Sequence, residues 1–283
     1  MPSLIDIRRR IRSVKSTQQI TRAMKMVSAA RLRRAQERVV SARPYGNSLR
    51  DMLANVAAAA GEDFSSPLLT PRHEGRIQVI LFTSDRGLAG AFNTTLIRAA
   101  QRFVDDHRDA QVEFELVGRK GRDYFRRRSY GITGEHVGLL GKVQFTDAQA
   151  IGQKLAKRIL DDEIDAVYVV YNEFRSVVSQ KLTVTRILPV TPPQESNQVD
   201  YIYEQPPARL LEALLPKYID LQVYTAMIET VASEHAARMT AMDAATSNAS
   251  DMIDRLTIYM NRVRQASITR EIIEVVSGAS ALG

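Results

Sequence analysis

Between Lys217 and Ser277 the chain carries neither Gly nor Pro, and its apolar or small residues recur at alternating steps of four and three. The series is Tyr218, Leu221, Thr225, Ile228, Ala232, His235, Met239, Met242, Thr246, Ala249, Ile253, Leu256, Met260, Val263 and Ser267. A 3.5-residue period held over seven heptads specifies a coiled-coil helix rather than a globular one. At about 1.5 Å per residue such a helix is roughly 90 Å long. A stripe of that length has to lie against something for most of its course.

The partner is expected at the other end of the chain. Ser3 to Arg43 also lacks Gly and Pro, and Ser3 with Asp6 supplies a cap and an acidic first turn. One apolar stripe begins Leu4, Ile7, Ile11, Val14, and a neighbouring one continues Ile20, Met24, Val27, which reads as a break in heptad phase. Pro44 and Gly46 are expected to kink or interrupt the helix, which resumes at Asn47 and runs through Ala57–Ala60. The middle of the chain must return at one end, so the two helices should pair antiparallel. A plain helical hairpin inside a bundle is the alternative. The seam is thin, because Thr225, Ala232, Thr246 and Ala249 each bury little surface.

Residues 61–75 read as a linker, and the composition then changes to alternating strands and helices. Strands are expected at Arg76–Thr83, Gln111–Val117 and Ala166–Tyr171, with Val177–Leu188 as a further extended partner. Helices are expected at Asn93–His107, Gly121–Arg128 and Asp147–Asp162, the last behind a capping box of Thr146 and Gln149. This order implies a right-handed, Rossmann-like α/β domain with a largely parallel sheet. Thr191–Pro207 leads to the last helix, and Pro216 is acceptable only if that helix starts or kinks there. The expected division is 1–60, 61–206 and 207–283.

Net charge is +7, unevenly placed. Residues 1–50 carry 13 Lys/Arg against Asp6 and Glu37, whereas residues 210–283 carry 6 Lys/Arg against 9 Asp/Glu. The two ends are complementary, with basic charge left over for an acidic partner. The chain has no Cys, which excludes disulfides, thiolate metal sites and cysteine nucleophiles. No signal-peptide core and no membrane-spanning apolar run is evident. The end of the last helix, with Ile268, Ile272, Ile273, Val275 and Val276, is apolar, and a socket in another protein would cover it.

Catalytic patterns are absent. The loop Ser84–Asn93, SDRGLAGAFN, follows a strand and precedes a helix, but it is neither GxGxxG nor GxxxxGK[ST]. It reads as a tight structural turn, with Asp85 and Arg86 as a local salt pair. His73, His107, His136 and His235 are scattered, with His235 on the seam. The acidic run Asp161, Asp162, Glu163, Asp165 reads as a solvated helix end, and Arg126–Arg128 as a solvated basic run. Nucleic-acid binding by the basic N-terminal helix lacks the interleaved aromatics that stack bases. A nucleotide-binding α/β enzyme with a helical arm is the other alternative.

Four segments are specific. They are ITREIIEVVSGASAL at Ile268–Leu282, SEHAARMTAMDAATSNA at Ser233–Ala249, the TQQITRAMKMVSAARLRRAQ core of Ile11–Gln36, and SDRGLAGAFN. In order and spacing they resemble the gamma subunit of the bacterial F-type ATP synthase over nearly the whole chain. The resemblance implies a noncatalytic central rotor shaft, present in single copy, without a cofactor or bound metal. It implies alpha and beta ring subunits, an epsilon subunit and a c-ring as partners, no nucleic acid, and peripheral association with the cytoplasmic face of the bacterial plasma membrane. Met24, Lys25, Arg264, Gln265, Thr269 and Glu271 match shaft–ring contacts, and Tyr203 and Glu204 match the foot that meets the c-ring. Ile272, Ile273, Val276 and Leu282 match the end that turns in a sleeve. Some family members carry a cysteine-bearing regulatory insertion; here Cys is absent, and the loop position that is Cys in some members is Ala89.

Overall fold

The structure is a computed structural model that describes residues 3–61, 64–192 and 203–281. Two long helices enclose the rest of the chain in sequence: α1 at Leu4–Ala60 and, last, α5 at Pro207–Ala281. Between them lie β1 (Arg76–Phe82), α2 (Phe92–Asp106), β2 (Gln111–Val117), α3 (Arg119–Phe125), β3 (Gly131–His136), α4 (Phe145–Leu160), β4 (Ala166–Phe174) and β5 (Gln180–Leu188). Contacts group these residues into two compact units, Met1–Ser28 with Met239–Gly283, and Ala29–Arg238.

In the first unit the segments of α1 and α5 pair antiparallel. Thr21 faces Thr246 at 2.8 Å between hydroxyls, and four residues further along α1 Lys25 meets Asp243. Every residue of the expected α5 seam is buried or half-buried here, from Met239 to Ser267. The expected break in phase on α1 does not occur. The covered series runs Leu4, Ile7, Ile11, Val14, Gln18, Thr21, Lys25, Ser28 without a slip. Ile20 and Val27 point outward, at 57% and 53% exposure, while Met24 is half-buried beside the seam. The polar seam residue Thr21 is tolerated because its hydroxyl finds Thr246 across the interface, so heptad phase, not apolarity, decides which residues are covered.

In the second unit the same spacing continues at Leu32, Ala35, Val39, Ala42, Gly46, Leu49, Leu53 and Val56. The helix is not interrupted at Pro44 and Gly46. Pro44 and Val40 are both exposed, where water can serve the carbonyl of Val40 that loses its amide partner. Gly46 sits on the seam, with the Leu221 side chain 3.9 Å from where a Cβ would stand. α5 starts at residue 207, where the expected division places it. Pro207 opens it, the amides of Arg209 and Leu210 return to the carbonyl of Pro206, and Pro216 lies inside the helix.

The sheet of this unit has the order β3-β2-β1-β4-β5, parallel except for the antiparallel edge strand β5. Buried on both sides, β1 is almost wholly apolar. Its residues Ile77, Val79 and Leu81 pack with Phe92, Leu96, Ala100, Phe103, Phe114 and Phe125 from α2, β2 and α3. The alternate residues face α4, whose Ile151, Leu155 and Ile159 are buried. α4 approaches α5 so closely at Gly152 that a Cβ there would collide with the Asp220 carboxylate. The far end of β4 is tied to α5 as well: Glu229 accepts the Phe174 amide at 2.8 Å, and the Ser233 hydroxyl donates to the Asn172 carbonyl at 2.9 Å.

Three local expectations are corrected. α4 begins at Phe145 with Gln144 as its N-cap and no side-chain cap, so Thr146 lies within the first turn and forms no capping box. The short helix lies at Arg119–Phe125, two to three residues earlier than expected. β3 was not anticipated, because GITGEH has two glycines and no apolar run; pairing to β2 makes it a strand.

Candidate functional site

The loop after β1 is closed at its two ends by Ser84 and Asn93. The Asn93 side chain accepts from the amide and the hydroxyl of Ser84 at 2.9 and 3.0 Å. Leu88 and Gly90 take positive φ, 63° and 57°. Asp85 makes no local pair with Arg86. Its carboxylate instead accepts the amides of Arg119 at 2.9 Å and Gly138 at 3.0 Å, joining the loop to the start of α3 and the exit of β3. Gly118, at φ 101°, is required there because a Cβ would overlap the carbonyl of Thr83. The loop is a structural joint.

Charged groups elsewhere in this unit are similarly committed. Glu115 is fully buried in β2, among His136 at 2.6 Å, Lys154 at 2.7 Å and Thr133 at 2.9 Å. Burial alone would raise its pKa, but His136, Lys154 and Thr133 outweigh burial and hold it at about 2. The acidic run after α4 is not a free helix end. Asp165 is 8% exposed and receives the Arg76 guanidinium and amide at 2.8 and 2.7 Å, while Asp162 pairs with Arg72 and Glu163 with Arg158. In the basic run, Arg126 pairs with Glu135 and Arg128 lies over the Tyr124 ring; Arg127 is exposed. Among the described residues no cluster of His, Asp or Glu could hold a metal ion, and no helix is long and apolar enough to cross a membrane.

The helical surfaces offer more. Lys25 is half-buried and ion-paired with Asp243, a partner that periodicity could not identify because Asp243 lies just off the seam. Arg264, Gln265, Thr269 and Glu271 are exposed on α5. The Thr269 hydroxyl donates to the Gln265 carbonyl at 2.9 Å, and Ser267 donates to Glu271 at 3.1 Å. Tyr203 is half-buried and Glu204 exposed, directly ahead of α5. Ile272, Ile273 and Val276 are 57%, 58% and 58% exposed, and Ile268 and Val275 are open as well. Leu282 lies outside the described residues. The outward residues Ile20, Met26 and Val27 on α1 add an apolar strip that the sequence did not separate from the seam. Their signal was available: they fall off the unbroken three–four series that starts at Leu4.

Comparison with known proteins gives the same direction from three sides. A family profile described as ATP synthase matches residues 3–282. The ATP synthase gamma chain of Solibacter usitatus is 64% identical over 284 residues, covering 99% of both chains. That of Pelotomaculum thermopropionicum is 50% identical over the full length of both. Among solved structures, a chain of the Tetrahymena thermophila mitochondrial ATP synthase central stalk and c-ring superposes with a TM-score of 0.64 at 26% identity, over 80% of this chain and 99% of that one. A chain of the Euglena gracilis mitochondrial ATP synthase gives 0.68 at 19% identity, over 99% and 94%, a likeness of fold.

Proposed function

This chain belongs to the ATP synthase gamma-chain family, and we propose that its paired helices transmit torque through an uneven surface. It is a noncatalytic subunit that serves as the central rotor shaft. Its partners are the alpha and beta subunits of the surrounding ring, the epsilon subunit and the c-ring.

The observation that carries this reading is the change along α5. The helix is covered at every seam position up to Ser267, and the residues described after it lie open, with Ile268, Ile272, Ile273, Val275 and Val276 among them. A stripe of exposed branched aliphatics is stable in water only when another protein covers it. Ile272, Ile273, Val276 and Leu282 supply the greased end that turns in a sleeve of the ring. Met24, Lys25, Arg264, Gln265, Thr269 and Glu271 meet the ring lower down. Tyr203 and Glu204 meet the c-ring.

A ring of three equivalent catalytic sites around an asymmetric axle experiences three different contacts at once. An axle that binds alternative site conformations with different free energies shifts each site in turn. Proton flow through the c-ring turns the axle and drives ATP synthesis; hydrolysis turns it back. The subunit is thereby held peripherally at the cytoplasmic face of the bacterial plasma membrane. Functionally the chain divides into helix 1–60, α/β domain 61–206 and helix 207–283.

The test is reconstitution. The chain alone should not hydrolyse ATP, whereas mixing it with alpha and beta subunits should yield a hydrolytic complex in which a bead attached to the α/β domain rotates. Nucleotide turnover by the isolated chain, or a hydrolytic complex whose bead stays still, would overturn the reading.

A further inference from the structure

Inside the unit Ala29–Arg238, a cavity of about 660 Å³ is lined by Arg31, Arg34 and Arg38 of α1, Arg86 of the loop after β1, Arg119 of α3 and Arg238 of α5. Two acidic residues, Asp85 and Glu234, share the lining, leaving an excess of four positive charges. Both acids are occupied: Asp85 accepts two backbone amides, and Glu234 holds Arg238 at 2.6 Å. Arg238 is 7% exposed and also donates to the carbonyls of Arg86 and Gly87, which fixes the floor. Among the described residues, Arg31, Arg34, Arg38, Arg86 and Arg119 form no ion pair through their side chains. His235 at the wall is held neutral: burial, then Arg238 and Arg31, push it down to about 4.

We propose that this cavity binds a condensed phosphate anion, of the pyrophosphate or tripolyphosphate class. Guanidinium forks match phosphate oxygens in pairs, and four structural elements aim them into one concavity. A volume of this size suits a small molecule. No Phe, Tyr or Trp lines it, so a nucleoside attached to the phosphates would find only the His235 imidazole to stack on. Arg238 and Arg31, besides burial, disfavour the charged form of His235, which marks the wall as electropositive.

The experiment is isothermal titration of the full chain with sodium pyrophosphate, tripolyphosphate and ATP in turn, with oligoglutamate of matched charge as a fourth arm. Saturable binding of one condensed phosphate per chain is expected, with ATP no tighter than tripolyphosphate. Arg34→Gln with Arg119→Gln should weaken it at least about tenfold, since each charged hydrogen bond is worth a factor of that order. Arg34→Lys with Arg119→Lys should fall between the two. The control Arg9→Gln with Arg10→Gln, remote in sequence from the cavity, should bind as the parent does. A circular-dichroism melt of each variant separates lost binding from lost fold. Absence of saturable binding, equal weakening by the control, or oligoglutamate binding as tightly as tripolyphosphate would overturn the proposal. None of these outcomes depends on whether the chain drives rotation.

Discussion

Across the seam of the antiparallel pair, the Thr21 and Thr246 hydroxyls lie 2.8 Å apart, and Thr246 also reaches the carbonyl of Met242 at 2.7 Å. Replacing one partner leaves a covered hydroxyl with a poorer set of bonds, while replacing both removes the need. Thr246→Val alone should therefore destabilise the chain by about 1 kcal/mol, and Thr21→Val with Thr246→Val should recover most of that loss. A double-mutant cycle in urea measures the coupling. Additive losses would show that the two hydroxyls do not depend on each other.

Asp220 and His235 give opposite responses to pH. Asp220 is 3% exposed, its Oδ1 has no partner, and burial raises its pKa to about 6. A folded pKa above the unfolded one means stability is greatest below about pH 4 and is lost as pH rises through 6. For His235 the folded pKa of about 4 lies below the unfolded 6.5, so its contribution is present above 6.5 and is lost as pH falls through 4. Each shift is worth about 3 kcal/mol at most. Asp220→Asn should stabilise the chain at pH 8 and have little effect at pH 4, whereas His235→Gln should gain relative stability at pH 4. Chemical denaturation of the three proteins at both pH values reads the two slopes separately.

Much of this was legible in the chain itself. Every position that a period of 3.5 residues picks out on α5 from Tyr218 to Ser267 is buried or half-buried, because a seam repeats the same local geometry at each turn. On α1 the same rule was obscured by residue identity. Gln18, Thr21, Lys25 and Ser28 hold seam positions, while Ile20 and Val27 face outward, so following apolar residues led to the wrong face. The strand β1 was plain because a buried parallel strand is a nearly continuous apolar run, and β2 because Val112, Phe114 and Leu116 alternate with polar residues. β3 was hidden because its pairing, not its composition, makes it a strand. Hidden too were Asp85 reaching the amides of Arg119 and Gly138, and six arginines from four elements sharing one cavity. Such contacts join residues far apart in the chain, and no local pattern encodes them.

Glu115 is the most heavily partnered carboxylate in the sheet, with His136, Lys154, Thr133 and the Gln78 amide around it. Glu115→Gln keeps the shape but leaves Lys154 and the other donors facing a neutral amide. A loss of about 3 kcal/mol at pH 7 is expected, in the range for breaking a buried ion pair. Because the folded carboxyl sits near 2, below its unfolded 4.5, the parent's advantage over the variant should persist above pH 4.5 and shrink toward pH 2. Urea unfolding followed by tyrosine fluorescence measures it, and an unchanged midpoint would show that the network carries no net stability.

Removing residues 272–283 tests the exposed end of α5 directly. Ile272, Ile273 and Val276 are each more than half exposed within the chain, so their loss removes little buried surface and should leave the melting temperature of the α/β domain within a few degrees of the parent. The consequence should appear only in the assembly. On the proposed reading, a ring that has lost the apolar end of its axle would keep the proposed contacts of Met24, Lys25 and Arg264 but no longer centre the shaft, so rotation should persist with lower torque and the complex should dissociate more readily. Torque on a bead-loaded complex and the rate of subunit loss on dilution are the two readouts. Collapse of the α/β domain on truncation would mean that this end supports the fold, and unchanged torque with an equally durable complex would mean that the open aliphatic face is not where the ring bears on the shaft.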